Sequence, residues 1–278
     1  MVEVPLADQY EPFYREFDSP LMRQIRREAY GEDIGQHSWV SADELRRDAH
    51  RLGLSASSRL LDVGSGPCGP LTFLISTVGC TGVGLELSAS AIQVGYSRAT
   101  ALGVQERFSA HVADLNDPLP VELGTFDAVL AVDVVLHLRD RQALFREVSK
   151  LLRSGGRFLF TDAGVITGAV SNDEILRRSV HGYTQFVPVG WNERLLETVG
   201  LHLLETEDRT ASVFRNANGR LAALRTHREE LERLSGVASF QSQNEYLTAV
   251  AELARRSAVS RIMYLTEVRS PNAGEPFD

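Results

Sequence analysis

Gly64-Ser65-Gly66-Pro67-Cys68-Gly69 fits G-x-G-x-x-G and lies between a β-rich run and a helical pattern. Glycines at those positions let the backbone turn sharply and approach a ligand. Dinucleotide enzymes use the same spacing for a pyrophosphate, so the pattern alone is weak. Asp62, two residues before the first glycine, discriminates. A carboxylate beneath the loop repels a diphosphate and favours a cationic group such as an ammonium or a sulfonium. Pro67 also removes one N–H that a phosphate cradle would use. The loop therefore suits a nucleoside with a positive tail. Glu86, about 20 residues on, is placed to accept both ribose hydroxyls, and Asp114 to accept from an adenine amino group. A helix cap for Glu86 and an Asx-turn for Asp114 are the structural alternatives.

The elements that must position these groups are legible as alternating patterns. Arg59–Val63, Thr81–Glu86, Phe108–Val112, Phe126–Val132 and Arg157–Thr161 read as strands. Between them, Leu71–Val78, a helix capped by Ser88 and running to about Leu102, and Arg141–Leu152 have helical spacing, the last stopped by Gly155-Gly156. Strand alternating with helix predicts an α/β, doubly wound, Rossmann-like sheet. The flanks are additions to it. Residues 11–52 read as helical with an interruption at Gly31–Gly35. Past Asp162 come a helix near Asn192–Val199 and a strand near Leu201–Glu205. One long amphipathic helix is marked by Leu221, Leu224, Leu231 and Leu234, and a further helix runs over Glu245–Arg256. The last β-rich run is Arg261–Thr266. We read residues 1–278 as one domain: a helical cap (1–57), a cofactor-binding core (58–162) and an acceptor-covering segment (163–278).

Composition excludes several classes. The 278 residues are 43% hydrophobic and 24% charged, as in an ordinary globular chain. A net charge of -8 opposes a general nucleic-acid partner. No apolar run approaches the roughly 18–20 residues of a membrane span, and Met1–Tyr10 lacks a signal-peptide pattern, so a cytoplasmic protein is expected. Cys68 and Cys80 are too few for a disulfide framework, and the seven histidines show no metal-ligand spacing. The sequence leaves a homodimer open.

Leu60–Gly69, Gly84-Leu85-Glu86, Ala113-Asp114 and Leu152–Arg157 resemble the successive motifs of the class I S-adenosylmethionine-dependent methyltransferases. The resemblance is strong over about residues 55–165. It implies a seven-stranded sheet with its last strand antiparallel and S-adenosylmethionine as cofactor. Cofactor contacts would come from Asp62, Gly64, Ser65, Gly66 and Gly69, then Glu86, Leu87, Asp114, Leu115 and Asp133. Within the superfamily the chain is similar to small-molecule enzymes, particularly the phosphoethanolamine and sarcosine/dimethylglycine N-methyltransferases. Tyr30–Ser38 resembles their segment closing over the cofactor, which implies contacts from Gln36 and His37. Asp133–Asp140 and Glu207–Thr210 match later landmarks. Two features depart from the phosphoethanolamine branch: Tyr10 and Tyr14 do not have its tyrosine's spacing, and Phe186 stands where it tends to place a histidine. A phosphobase acceptor is therefore not expected.

His137 follows the fourth strand and is the candidate base or acceptor-orienting group; a structural histidine is the alternative. Asp162 is read as holding a polar acceptor group, and Asp133 as touching cofactor or acceptor, unless each caps a helix. Trp39, Tyr183, Phe186 and Trp191 would cover a small-molecule acceptor, contacting a cationic amine or serving as core. Arg178, with Arg177, is placed to meet an acidic acceptor. Arg220, Arg225, Arg228 and Arg233 read as the wet side of their helix. A nicotinamide dehydrogenase and a non-catalytic cofactor-binding module are the competing readings.

Overall fold

The structure, a computed structural model, describes residues 11, 14–179 and 183–269. Met1–Tyr10, read above for a signal-peptide pattern, lie outside the described residues. The chain enters through α1 (Pro20–Tyr30) and α2 (Ala42–Arg51), whose first turns are capped by the Ser19 and Ser41 hydroxyls. The alternating core follows: β1 (Arg59–Val63), α3 (Gly69–Val78), β2 (Thr81–Glu86), α4 (Ala89–Ala101), β3 (Phe108–Val112), β4 (Phe126–Val132), α5 (Arg141–Leu151) and β5 (Leu152–Ile166). Ser88 caps α4 through the Ala91 N–H, and Asp140 caps α5 through that of Ala143. The last third contains α6 (Asn172–Arg178), a two-residue β6 (Val187–Pro188), α7 (Trp191–Thr198) and β7 (Leu201–Asp208). It ends with α8 (Thr210–Thr226), α9 (Arg228–Ser235), α10 (Val237–Arg255) and β8 (Val259–Val268).

The main sheet path has the order β3-β2-β1-β4-β5-β8-β7, with β6 joined to the end of β5. β1 to β5 are parallel, and β8, the last strand of the chain, inserts antiparallel between β5 and β7. Alternate residues feed two cores. Leu60, Ala128, Leu130, Leu159 and Met263 face α2 and α3. Leu61, Val129, Phe158, Phe160 and Tyr264 face α5 and α7. This two-sided burial explains the uninterrupted apolar run of β4. A third cluster joins Ile25 of α1, Trp39, Ala163 and the inner faces of α8, α9 and α10 into a helical cap. Its close approach is visible at Gly219, where a Cβ would stand 2.4 Å from the Ala29 carbonyl oxygen.

Three expectations are corrected. Gly155-Gly156 does not stop α5: the helix ends at Leu151, and both glycines lie inside β5, which already pairs at Leu152 with Phe126. The long amphipathic helix is two helices broken at His227, whose imidazole Nε2 meets the Glu28 carboxylate of α1 at 3.0 Å. Leu221, Leu224 and Leu231 are buried across that break, but Leu234 is exposed because the new helix axis turns it away. The final helix also begins earlier, at Val237.

Candidate active site

Between β1 and β4 the order of strands reverses, and the loops leaving their C-terminal ends diverge into a crevice, the usual ligand position of a doubly wound sheet. The two loops touch: Gly64 has φ 70°, and a Cβ there would stand 2.3 Å from Val134 Cγ2. A cavity of about 250 Å³ opens at this point and runs from the glycine loop to the helical cap.

One half of the cavity is acidic. Asp62 reaches it from β1, is 2% exposed, and its Oδ2 is buried without a hydrogen-bond partner. Burial, aided by the nearby Glu86 charge, pushes the Asp62 carboxyl up to about 8. An orphaned acid at a cavity wall fits a cationic ligand group and opposes a pyrophosphate. Glu86 is aimed by the backbone: its Oε2 accepts from Gly66 N–H at 2.9 Å, and its Oε1 from Ser88 N–H at 2.9 Å. Burial raises its carboxyl as well, against the pull of these hydrogen bonds. Asp114 lines the same half and forms the Asx-turn weighed above, Oδ1 accepting from Asn116 N–H at 2.9 Å. Ser65, Gly66, Leu87 and Leu115 complete this wall, as does Asn116, which the sequence reading passed over. Cys68 caps α3 in the left-handed conformation at φ 55°. Burial pushes its thiol up to about 12, which removes it as a nucleophile.

The rest of the lining includes His137, Trp39, Ala163, Arg178, Thr184, Arg220, Gln243 and Tyr246. His137 Nδ1 lies 3.1 Å from the Tyr183 carbonyl oxygen. A carbonyl only accepts, so Nδ1 carries a proton. Trp39 is pinned through both of its backbone polar groups: its N–H donates to Asp133 Oδ2 at 3.0 Å, and its carbonyl accepts from Asn216 Nδ2 at 2.7 Å.

The methyltransferase-domain family matches residues 61–160, from β1 into β5, a stretch that contains Asp62, Glu86 and Asp114. Methyltransferase GfsG of Streptomyces halstedii is 32% identical over 164 residues, spanning 57% of this chain but only 58% of that relative's length. The sarcosine/dimethylglycine N-methyltransferase of Halorhodospira halochloris is 31% identical over 219 residues, covering 74% of this chain and 73% of that protein. The chain belongs to the class I S-adenosylmethionine-dependent methyltransferases. The fold agrees: a Haemonchus contortus phosphoethanolamine N-methyltransferase 2, solved with phosphomonomethylethanolamine and S-adenosylhomocysteine, superposes with a TM-score of 0.78. That superposition covers 96% of this chain and 61% of the other, at 18% identity. S-adenosylmethionine is the cofactor of this family, and the acidic half of the methyltransferase cavity fits it.

Several residues expected at the methyltransferase site are placed elsewhere. Gly69 is buried behind the loop, where a Cβ would stand 2.1 Å from the Gly35 carbonyl oxygen. Gln36 folds the closing segment internally, accepting from Ile34 N–H and donating to the Glu32 carbonyl, whereas His37 beside it lines the cavity. Asp162 is wholly buried away from the cavity and bound to Arg141 at 2.6 Å and Asn192 at 2.9 Å. Phe186 packs on Leu253, Ala258 and Val259. Trp191 opens α7 at the surface with Arg194 over its ring, and the exposed Tyr183 contributes its carbonyl. Asp133 lines the cavity, but its carboxylate is taken by Trp39, Thr161 and Arg261. Two positions undervalued in the sequence also line it. Tyr14, set aside on spacing, lies with its hydroxyl 3.3 Å from His37 Nδ1. Arg220, read as solvated, faces inward, because α8 turns that side toward Trp39. No group of three or more potential metal ligands occurs among the described residues, and no described helix is long and apolar enough to cross a membrane.

Proposed function

We propose that this chain transfers a methyl group from S-adenosylmethionine to a small-molecule nucleophile, with His137 as general base or acceptor-orienting group. The observation that carries the reading is one cavity lined both by Asp62, whose Oδ2 is buried without a hydrogen-bond partner, and by His137. S-adenosylmethionine supplies a methyl already activated by its sulfonium. Asp62 holds the cationic tail, and Glu86, its direction fixed by Gly66 and Ser88, accepts the ribose hydroxyls. Asp114 and Asn116 border the adenine end. His137 Nε2 takes a proton from the acceptor if it must lose one, and the Tyr183 carbonyl steadies the resulting imidazolium through Nδ1–H. Trp39 and the helices behind it exclude water and align the reactants, the main source of rate in a transfer whose electrophile is already activated.

Calorimetry tests the cofactor role: micromolar binding of S-adenosylhomocysteine with no comparable binding of NAD is expected, and the reverse overturns the reading. Transfer is tested with methyl-labelled S-adenosylmethionine and an acceptor library of amines, alcohols and acidic carbon compounds. On an acceptor that takes label, His137→Ala is expected to lower kcat at least 100-fold, within the usual contribution of a general base. Near-native turnover of that variant would remove His137 from the mechanism.

A further inference from the structure

We propose that the acceptor carries an oxyanion, a carboxylate or phosphoryl group, and that Arg178 and Arg220 bind it. The proposal rests on the cavity being an acceptor site and adds the chemical class of the acceptor. The two arginines reach the wall from different elements, Arg178 from the end of α6 and Arg220 from α8. Arg178 is 6% exposed, yet its guanidinium has only neutral partners, the Tyr246 hydroxyl at 2.9 Å and the Ala163 carbonyl at 3.4 Å. Among the described residues neither Arg178 nor the half-buried Arg220 has a carboxylate within ion-pair distance, although the buried arginines other than Arg178, namely Arg26, Arg141, Arg209 and Arg261, all do. A buried cation without a counter-charge is costly, and a ligand that brings the charge removes that cost.

The aromatic residues argue the same way. The Trp39 and Tyr246 rings lie side by side, centroids 6.4 Å apart. Arg220 sits over the first at 5.0 Å and Arg178 over the second at 5.3 Å. Each of these rings thus already has one of the protein's own cations beside it. An ammonium there would meet two like charges, whereas an oxyanion would meet two forked donors. The carboxylates that line the cavity do not compete: Asp62, Glu86 and Asp114 belong to the cofactor half, and Asp133 is held by Arg261.

Calorimetric titration of the full chain, with and without saturating S-adenosylhomocysteine, tests this with phosphate, benzoate and the neutral benzamide. At least one anion is expected to bind tenfold tighter than benzamide; benzoate ahead of phosphate selects a carboxylate acceptor, and the opposite order a phosphoryl one. Arg178→Gln and Arg220→Gln should each weaken that anion at least tenfold while S-adenosylhomocysteine affinity changes less than twofold, which also shows that the variants fold. Arg220→Lys, which keeps the charge on the less buried partner, should retain anion binding within about threefold. Neither phosphate nor benzoate binding tighter than benzamide, or anion affinity indifferent to both glutamine variants, would overturn the assignment. Failure of S-adenosylhomocysteine to bind would instead overturn the methyl-transfer reading, and the anion titration without it would still decide the arginines.

Discussion

A buried carboxylate without a hydrogen bond destabilises the protein that contains it, and Asp62 is one. Its carboxyl titrates near 8 in the folded chain against a usual value of 3.8. A group raised in this way favours folding most below its unfolded value, and that contribution is lost as pH climbs through the folded one. Asp62→Asn should therefore raise the thermal midpoint of the ligand-free protein at pH 8, yet weaken S-adenosylmethionine at least tenfold, about 1.4 kcal/mol. An unchanged midpoint together with unchanged affinity would show that the acid does neither job. A cationic tail requires the ionised form, so binding at pH 7 expels a proton and binding at pH 9 does not. Calorimetry in PIPES and Tris should give different apparent enthalpies for the wild type at pH 7 and matching ones for Asp62→Asn. Asp62 could be picked out in the sequence because its meaning depends on a glycine two residues away. Asp133 could not be read as already occupied, since its ion-pair partner Arg261 comes 128 residues later.

Elements behave similarly: local ones were legible, and those set by distant packing were not. The core strands and α4 with its Ser88 cap follow from period and caps within a dozen residues. The inward turn of Arg220 and the break at His227 follow from α1 docking on α8, which no window of sequence contains. Gly69 shows how a motif residue can act through an element without meeting the ligand. It opens α3 where the Gly31–Ser38 segment crosses, and its missing Cβ admits the Gly35 carbonyl oxygen. Backbone on both sides leaves no side chain to move aside. Gly69→Ala should thus cost about 3 kcal/mol of stability by overpacking and lift His37 from the cavity wall. The measurements are a urea midpoint and S-adenosylhomocysteine affinity, with both expected to fall. A variant as stable as the wild type would mean that the crossing is looser than the contact implies.

At the scale of the molecule, the cap is tied to the sheet by buried charge. Arg261 of β8 binds Glu44 of α2 at 2.8 Å and Asp133 at 2.7 Å, while Arg209 holds Asp48 of the same helix. The last third of the chain thus clamps the helix that precedes the cofactor core, and through Asp133 the same clamp holds Trp39 at the cavity wall. Burial alone would push the Glu44 carboxyl up, but Arg261, Ser212 and Arg209 together hold it below the usual range. A carboxyl depressed in the folded state stabilises above its unfolded value, near 4.5, and that stability is lost as pH falls through the folded one. Arg261→Met should strand Glu44 and Asp133 without their shared partner, costing about 3–5 kcal/mol at pH 7. With the guanidinium gone, burial dominates at Glu44 and the sign of its linkage reverses, so acid relieves the variant while it weakens the wild type. The gap between their thermal midpoints should therefore be wide at pH 7 and clearly narrower at pH 4.5, read by calorimetry on the same preparations. A gap that stays constant with pH would mean that Arg261 stabilises the fold by packing alone and that the cap is not held by charge.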